Sequence, residues 1–290
     1  MKKKVHREPL TSDVIFKAVF GRDTPGCKRA LIGLLNRILE REEDPIVDLV
    51  YQNPFSMAEL EEEKEIIMDI LVETQSGEQI DIEMQIGTTK DLMNRFLYYL
   101  SKLVVRGLEK GEDYGKLKKS IVIVILRDTY FPESEPPHSC FMLKSRETGK
   151  ILSEMMQLHI LELGKYQWEE KEAEELNPLE VLSAYMSCSG DPEREAYVER
   201  LLGTGDEVIA MADKELKKVS EDGRLSAYRM SKEMYQIDQA IRMRTAKEQG
   251  IEQGRIKGRI EVAKKMKARG MSVEEIAELT GLSPQEIENL

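Results

Sequence analysis

"IDIEMQI", residues Ile80 to Ile86, alternates apolar and polar residues without a break. In a β-strand that alternation puts Ile80, Ile82, Met84 and Ile86 on one face and Asp81, Glu83 and Gln85 on the other. Two acids and an amide facing one way have two readings. One is a solvated hairpin face with scattered charge. The other is a metal-holding catalytic face.

The segment just upstream bears on the choice. "EIIMDILVE" (Glu65 to Glu73) is a nearly continuous apolar run interrupted by Asp69, as expected of a strand buried on both faces. "TQSGEQ" follows as the turn. A two-residue Ser76-Gly77 turn would pair Asp69 with Met84 and put Asp69 and Glu83 on opposite faces. A three-residue loop, Gln75 to Gly77, would set Gly77 at the left-handed position such loops favour. Asp69 would then lie across from Glu83, with Cβ atoms roughly 5 Å apart. Two carboxylates that close repel each other unless a divalent cation joins them, and hard oxygen ligands suit Mg²⁺. An unpaired charge in a buried strand is also costly.

Downstream, "KDLMNRFLYYLSKLVVRGLEKG" reads as a helix of about five to six turns. Arg95, Tyr99, Lys102 and Arg106 share one of its faces, and Leu92, Phe96, Leu100 and Leu103 another. The cations are either structural ion pairs for the neighbouring acids or contacts for nucleic-acid phosphates. "SIVIVIL" (Ser120 to Leu126) is a second buried strand. "CFMLKSRETGKIL" and "LHILEL" give weaker strand signals that suggest a hairpin. Ahead of the strands, "SDVIFKAVFG" reads as a helix capped by Ser12, "KRALIGLLNRILE" as a second helix from Lys28 to Glu40, and "PIVDLVYQNPF" as a short strand stopped by Pro54. Helices, strands, helix and strand in this order predict an α/β layer with a mixed sheet.

From about Asn177 onward the pattern is helical. Arg224 to Arg269 holds thirteen Lys/Arg against five Asp/Glu, a net +8; the whole chain carries −11, which leaves −19 on the rest. An acidic body with a basic arm argues against a protein that coats nucleic acid with its whole surface, and allows contact through the arm. The arm lacks a clean apolar stripe, and Gly250, Gly254 and Gly258 each cost about 1 kcal/mol of helix propensity. "SVEEIAELTGLSPQEIENL" carries helix-turn-helix punctuation, but its second helix is acidic. A helical hairpin used for packing or self-association fits it better than DNA readout.

Cys27, Cys140 and Cys188 are odd in number and in no CxxC spacing, which predicts neither a disulfide framework nor a zinc site and fits a reducing cytoplasm. No apolar region follows the basic start "MKKKVHREPL" and no run approaches eighteen apolar residues, so neither signal peptide nor membrane span is expected. His6, His138 and His159 share no spacing with a nucleophile and read as surface or core residues. Trp168 reads as a packing residue at a domain junction.

Taken together, "FKAVFG", "IIMDIL", "IDIEMQ", "NRFLYYLSKL" and "KGEDYGKLKKSIVIVIL", with the ending "GIEQGRIKGRIEVAKKMKARGMSVEEIAELTGLSPQEI", resemble the Rpn family of recombination-promoting nucleases and transposases, within the PD-(D/E)XK nuclease superfamily. The resemblance covers roughly Thr11 to Leu163, and the tail. It implies a restriction-endonuclease-like α/β core at 1–165 with a mixed central sheet flanked by helices. An all-helical C-terminal region follows: a helical segment at 166–223, a basic arm at 224–270 and the hairpin at 271–290. It implies an Mg²⁺-dependent DNA endonuclease, with Mn²⁺ as substitute, linked to recombination or transposition. Asp69 and Glu83 match the metal-binding acids, Gln85 stands where the superfamily has lysine, and Asp13 matches an acid on the first helix. Gln85 can orient a water but brings no charge to lower its pKa, so the metal must do more. Arg95, Lys102 and Arg106 are the expected DNA phosphate contacts. The rival expectation is a catalytically idle relative that binds DNA or protein and forms homo-oligomers through its helical end.

Overall fold

A computed structural model describes residues 6–55, 70–87, 89–166 and 171–290, with side chains omitted for part of 233–253. Asp69 and Trp168 therefore lie outside the described residues.

Helix α1 (Asp13–Phe20) buries nearly its whole length. Ser12 occupies its N-cap position but makes no side-chain cap; the carboxylate of Asp13 instead accepts from the Val14 N–H at 2.7 Å. Helix α2 (Pro25–Ile38) starts three residues earlier than the sequence reading placed it. Thr24 caps it by accepting from the Cys27 N–H at 3.3 Å, and Pro25 takes the first turn, where its missing donor does no harm.

Strands β1 (Leu49–Tyr51), β2 (Ile70–Thr74) and β3 (Gln79–Gln85) form an antiparallel meander. Helix α3 (Leu92–Arg106) then crosses over to β4 (Ser120–Leu126), which pairs parallel with β3. The hairpin of β5 (His138–Lys144) and β6 (Ile151–Glu162) completes a six-stranded mixed sheet in the order β1-β2-β3-β4-β6-β5. The stretch read as two weak strand signals is a hairpin whose second strand runs for twelve residues.

The continuous apolar run of β4 is explained by two cores. Ile121, Ile123 and Ile125 face a large cluster with α1 and α2, while Val122, Val124 and Leu126 face a smaller one under α3. β2 differs from its expectation over the described residues: its burial alternates, with Leu71 and Glu73 only half-buried. Helix α3 is also shorter than expected, fifteen residues or about four turns. Gly107 closes it by donating to Leu103 and Val104 carbonyls.

The C-terminal helices divide. Helices α4 (Pro178–Cys188), α5 (Glu195–Gly203) and α6 (Glu207–Ser220) add Leu182, Tyr185, Leu201, Ile209 and Leu216 to the same core as α1 and α2. Helix α7 (Gly223–Ala268) runs from this compact unit, residues 1–229, into a second one, residues 230–290. In the second unit α8 (Val273–Thr280) and α9 (Pro284–Glu288) pack with the end of α7 around Ala263, Ile276, Leu282 and Ile287. Ile260, Ala263 and Met266 supply the short apolar stripe that the sequence reading did not find in the arm. Ser272 and Ser283 each complete a capping box, with Glu275 and Glu286, and Gly281 closes α8 at φ 69°.

Candidate active site

The decisive local geometry is the β2–β3 turn. Thr74 N–H donates to the Glu78 carbonyl at 2.9 Å, Gly77 N–H donates to the Thr74 carbonyl at 2.9 Å, and Gly77 has φ 81°. This is the three-residue loop Gln75 to Gly77. It pairs Ile70 with Ile82, Leu71 with Asp81 and Val72 with Ile80. That is the register in which Asp69 is expected to fall opposite Glu83; the two-residue alternative would have paired Ile70 with Glu83.

β3 lies inside the sheet, between β2 and β4, so its polar face is no solvated edge. Ile80, Ile82 and Met84 enter the large core. Asp81 and Glu83, on the opposite face, are 8% and 7% exposed beneath α3. Arg95, one turn into α3, joins this face. Its Nη2 donates to Gln85 Oε1 and lies 3.4 Å from Glu83 Oε2, at the long limit for a hydrogen bond. The Gln85 amide is fixed at its other end, where Nε2 donates to the carbonyls of Ile86 at 2.9 Å and Gly87 at 3.3 Å. Phe96 and Tyr99 carry the guanidinium on their rings, 5.1 and 5.9 Å from its carbon.

Glu83, Gln85 and Arg95 therefore come together as expected. Lys102 and Arg106 do not join them. They lie further along α3 and line a separate pocket with Asp81, Tyr99 and Leu71. Asp13 lies on α1, which packs against the other face of the sheet, and its charge, second to burial, raises the pKa of Tyr228.

One grouping that no local spacing signals brings two of the histidines beside a cysteine. His159 Nε2 lies 3.5 Å from Cys140 Sγ, and its Nδ1 lies 3.1 Å from His138 Nε2. Register brings them together: Cys140 pairs with His159 across the β5–β6 hairpin, and His138 is two residues from Cys140 on the same face. Burial first, then His138 and the cations Lys119 and Arg41, lower the His159 pKa to about 4. Burial pushes the Cys140 thiol up. The pair is thus neutral and is no thiolate–imidazolium couple.

Among the described residues no group of three or more His, Cys, Asp or Glu side chains is arranged to hold a metal ion. Glu83 supplies one hard oxygen donor of the kind Mg²⁺ takes, on a face that also holds Gln85 and an arginine.

A meander, a crossover helix and a parallel strand, with a buried acid and an amide two residues apart on the central strand, agree with what comparison finds. The model of the PD-(D/E)XK nuclease family transposases matches residues 10–246. The chain belongs to that family. No curated protein and no solved structure matches it. The matched residues of this PD-(D/E)XK family member take in the whole sheet and α1 to α6. Among the described residues no helix is long and apolar enough to cross a membrane.

Proposed function

We propose that this protein is a Mg²⁺-dependent DNA endonuclease acting in recombination or transposition, in the cytoplasm. Family membership supports the nuclease class. The observation that supports the site is the parity of the β2–β3 hairpin, the one from which the sequence leads us to expect Asp69 on the side of Glu83.

In this reading Asp69 and Glu83 hold the ion and Gln85 orients the attacking water. Bound Mg²⁺, or Mn²⁺ in its place, supplies Lewis acidity at the phosphate and lowers the pKa of water. Glu83, taken out of bulk water beneath α3, offers its oxygens to a cation at short range. Arg95 keeps the Gln85 amide in one orientation and holds positive charge where a phosphate oxygen gains negative charge. Lys102 and Arg106 hold backbone phosphates further along the strand. The C-terminal hairpin serves packing or self-association: Glu286 is committed to capping α9 and the helix is only five residues long. Light scattering on a chain ended after Gly270 tests this; an unchanged oligomeric state would reject it.

The central test is plasmid cleavage in Mg²⁺, in Mn²⁺ and in chelator, by wild type, Glu83→Gln and Asp69→Asn. Cleavage should need the ion and be lost in both variants while thermal unfolding stays cooperative. Cleavage that survives either substitution, or that chelator leaves intact, overturns the reading. DNA binding without cleavage in wild type would instead identify an idle relative, with Arg95 locking Glu83.

A further inference from the structure

Helix α3 has a third face, used neither by the core nor by the candidate site. Leu97, Tyr98 and Val105 project from it, each more than half exposed. Asn94 and Ser101 complete the stripe, which repeats at intervals of three and four residues along the helix. None of the five is charged. The Ser101 hydroxyl donates to the Leu97 carbonyl at 2.8 Å and is satisfied without a neighbour. A contiguous exposed apolar face rimmed by polar residues marks a protein–protein contact. Phosphates would find no cation on it. Lys102 and Arg106 lie on the flank towards β2 and β3, where they line a pocket with Leu71 and Asp81.

The arrangement of the stripe points to its occupant. Leu97 and Val105 lie four residues before and four residues after Ser101, whose small side chain marks the middle. Such a face matches a second copy of itself running the opposite way. About a two-fold axis at Ser101, Leu97 of one copy comes level with Val105 of the other, and serine meets serine, which lets the helices approach closely. Charge at the ends selects the same direction. Lys90 and Asp91, exposed at the start of α3, come beside Glu109, Lys110 and Glu112, exposed just past its end. A parallel pair would set each of these charges beside its own kind. It would also align the two helix dipoles, which the antiparallel pair opposes. We propose that two copies of this chain pair through α3, antiparallel about Ser101. One helix against another falls at the small end of protein interfaces, below roughly 1,200 Å² in total, so the pair is reversible. A two-fold axis perpendicular to both helices keeps Lys102 and Arg106 of the two copies on one side of the pair. For a nuclease that is one continuous cationic edge along a duplex; the pairing itself does not rest on that reading.

Sedimentation velocity of the full-length protein without DNA reads the monomer–dimer balance. Leu97→Glu and Val105→Lys each put a charge into the contact at a position exposed in the single chain, and each should weaken the wild-type dimer by roughly 10- to 100-fold. Both together in one chain should restore it, because the new acid of one copy then meets the new cation of the other. Within one chain these positions are about 12 Å apart along the helix and do not pair. Ser101→Cys, in a chain also carrying Cys140→Ser, should be linked into a covalent dimer by oxidised glutathione. Leu97→Cys in that chain should not, since its two copies lie about 12 Å apart along the helices. A wild-type chain that stays monomeric at every soluble concentration overturns the pairing and leaves the stripe to a different partner. A dimer that both single variants leave intact is held elsewhere, at the C-terminal hairpin, and overturns it as well. A double variant no stronger than the singles, or linkage at Leu97→Cys in place of Ser101→Cys, rejects the antiparallel arrangement. Plasmid cleavage enters none of these measurements, so the nuclease reading stands or falls separately.

Discussion

Ile70 of β2 lies directly across from Ile82 of β3, and this pairing sets which side of the sheet every acid in the hairpin occupies. A slip of one residue would exchange the faces. The pairing is imposed by the Gln75–Gly77 loop, whose last residue sits at φ 81°. A Cβ added at Gly77 meets nothing within 4 Å, so a substitution there is opposed by backbone conformation and not by crowding. Gly77→Val should lower the unfolding free energy by about 1–2 kcal/mol, and Gly77→Asn by clearly less, because asparagine tolerates the left-handed region. Urea denaturation decides it; identical losses for Val and Asn would show that the left-handed conformation is not what the loop requires.

The three cations of α3 should separate in their effects. Lys102 and Arg106 are eight and twelve residues from Arg95's neighbour Asn94, and from Arg95 to Arg106 the helix rises about 16 Å. Lys102→Ala and Arg106→Ala should each lower the slope of log affinity against log salt by about 0.9 on duplex DNA. Arg95→Ala also frees the amide of Gln85, so it should cost cleavage more than binding, by roughly 10- to 100-fold. Arg95→Lys should not restore it, because an ammonium lacks the flat guanidinium that rests on the Phe96 and Tyr99 rings and so sets Nη2 against Gln85 and Glu83. Equal losses in binding and cleavage for Arg95→Ala would reduce Arg95 to one more phosphate contact.

That division of α3 was not legible in the sequence. A helical face read from i, i+4, i+7 and i+11 collects residues that share an azimuth but not a height. The sheet beneath has one acid at Glu83 and another at Asp81, and the stripe serves both. Alternation along Ile80–Gln85 did separate the apolar from the polar face, although both are buried and Ile86, 37% exposed, lies past the end of β3. It could not show that Asp81 has a cavity above it, which depends on where Leu103 and Tyr99 come to rest. Cys140, His138 and His159 escaped notice for a related reason: a register between distant segments joins them, and no local spacing signals it. A turn at Gly77 was legible, because a glycine before an alternating strand has a conformational meaning of its own, but its length, two residues or three, came from the backbone hydrogen bonds.

Arg7 should matter for stability more than any exposed charge. Its side chain is fully buried, with Nε 2.5 Å from Asp213 Oδ1, Nη2 2.8 Å from Glu199 Oε1, and Nη1 on Glu195. Lys217 at 2.6 Å and the Tyr185 hydroxyl at 3.1 Å complete the shell of Asp213. Burial pushes the Asp213 carboxyl up, but the bonds from Arg7 and Lys217 outweigh it and hold it below the usual range. Arg7→Met leaves a buried carboxylate with its main partner gone and should destabilise the fold by about 3–5 kcal/mol. Glu199→Gln removes a half-exposed partner and should cost under about 1 kcal/mol. Chemical denaturation of both compares them; similar losses would mean that Arg7 stabilises through its packing alone.

His159 gives the fold a defined response to acid. His159 is 6% exposed, and burial holds its folded pKa at about 4, below the ordinary 6.5. His138, also lowered by burial, lies 3.1 Å away, so protonating both rings would set two charges side by side. The unfolded chain therefore takes up a proton that the folded chain refuses between about pH 6.5 and 4. Where the unfolded state binds more protons, stability falls as pH falls. The contribution of His159 is complete above pH 6.5 and is lost progressively until about pH 4. Between pH 7.5 and 5 that loss amounts to about 2 kcal/mol. His159→Gln has no proton to gain there, so its urea unfolding free energy should change less over the same range by about that amount. Parallel pH profiles for the two proteins would show that His159 is protonated in the folded state and that the β5–β6 hairpin admits its charge.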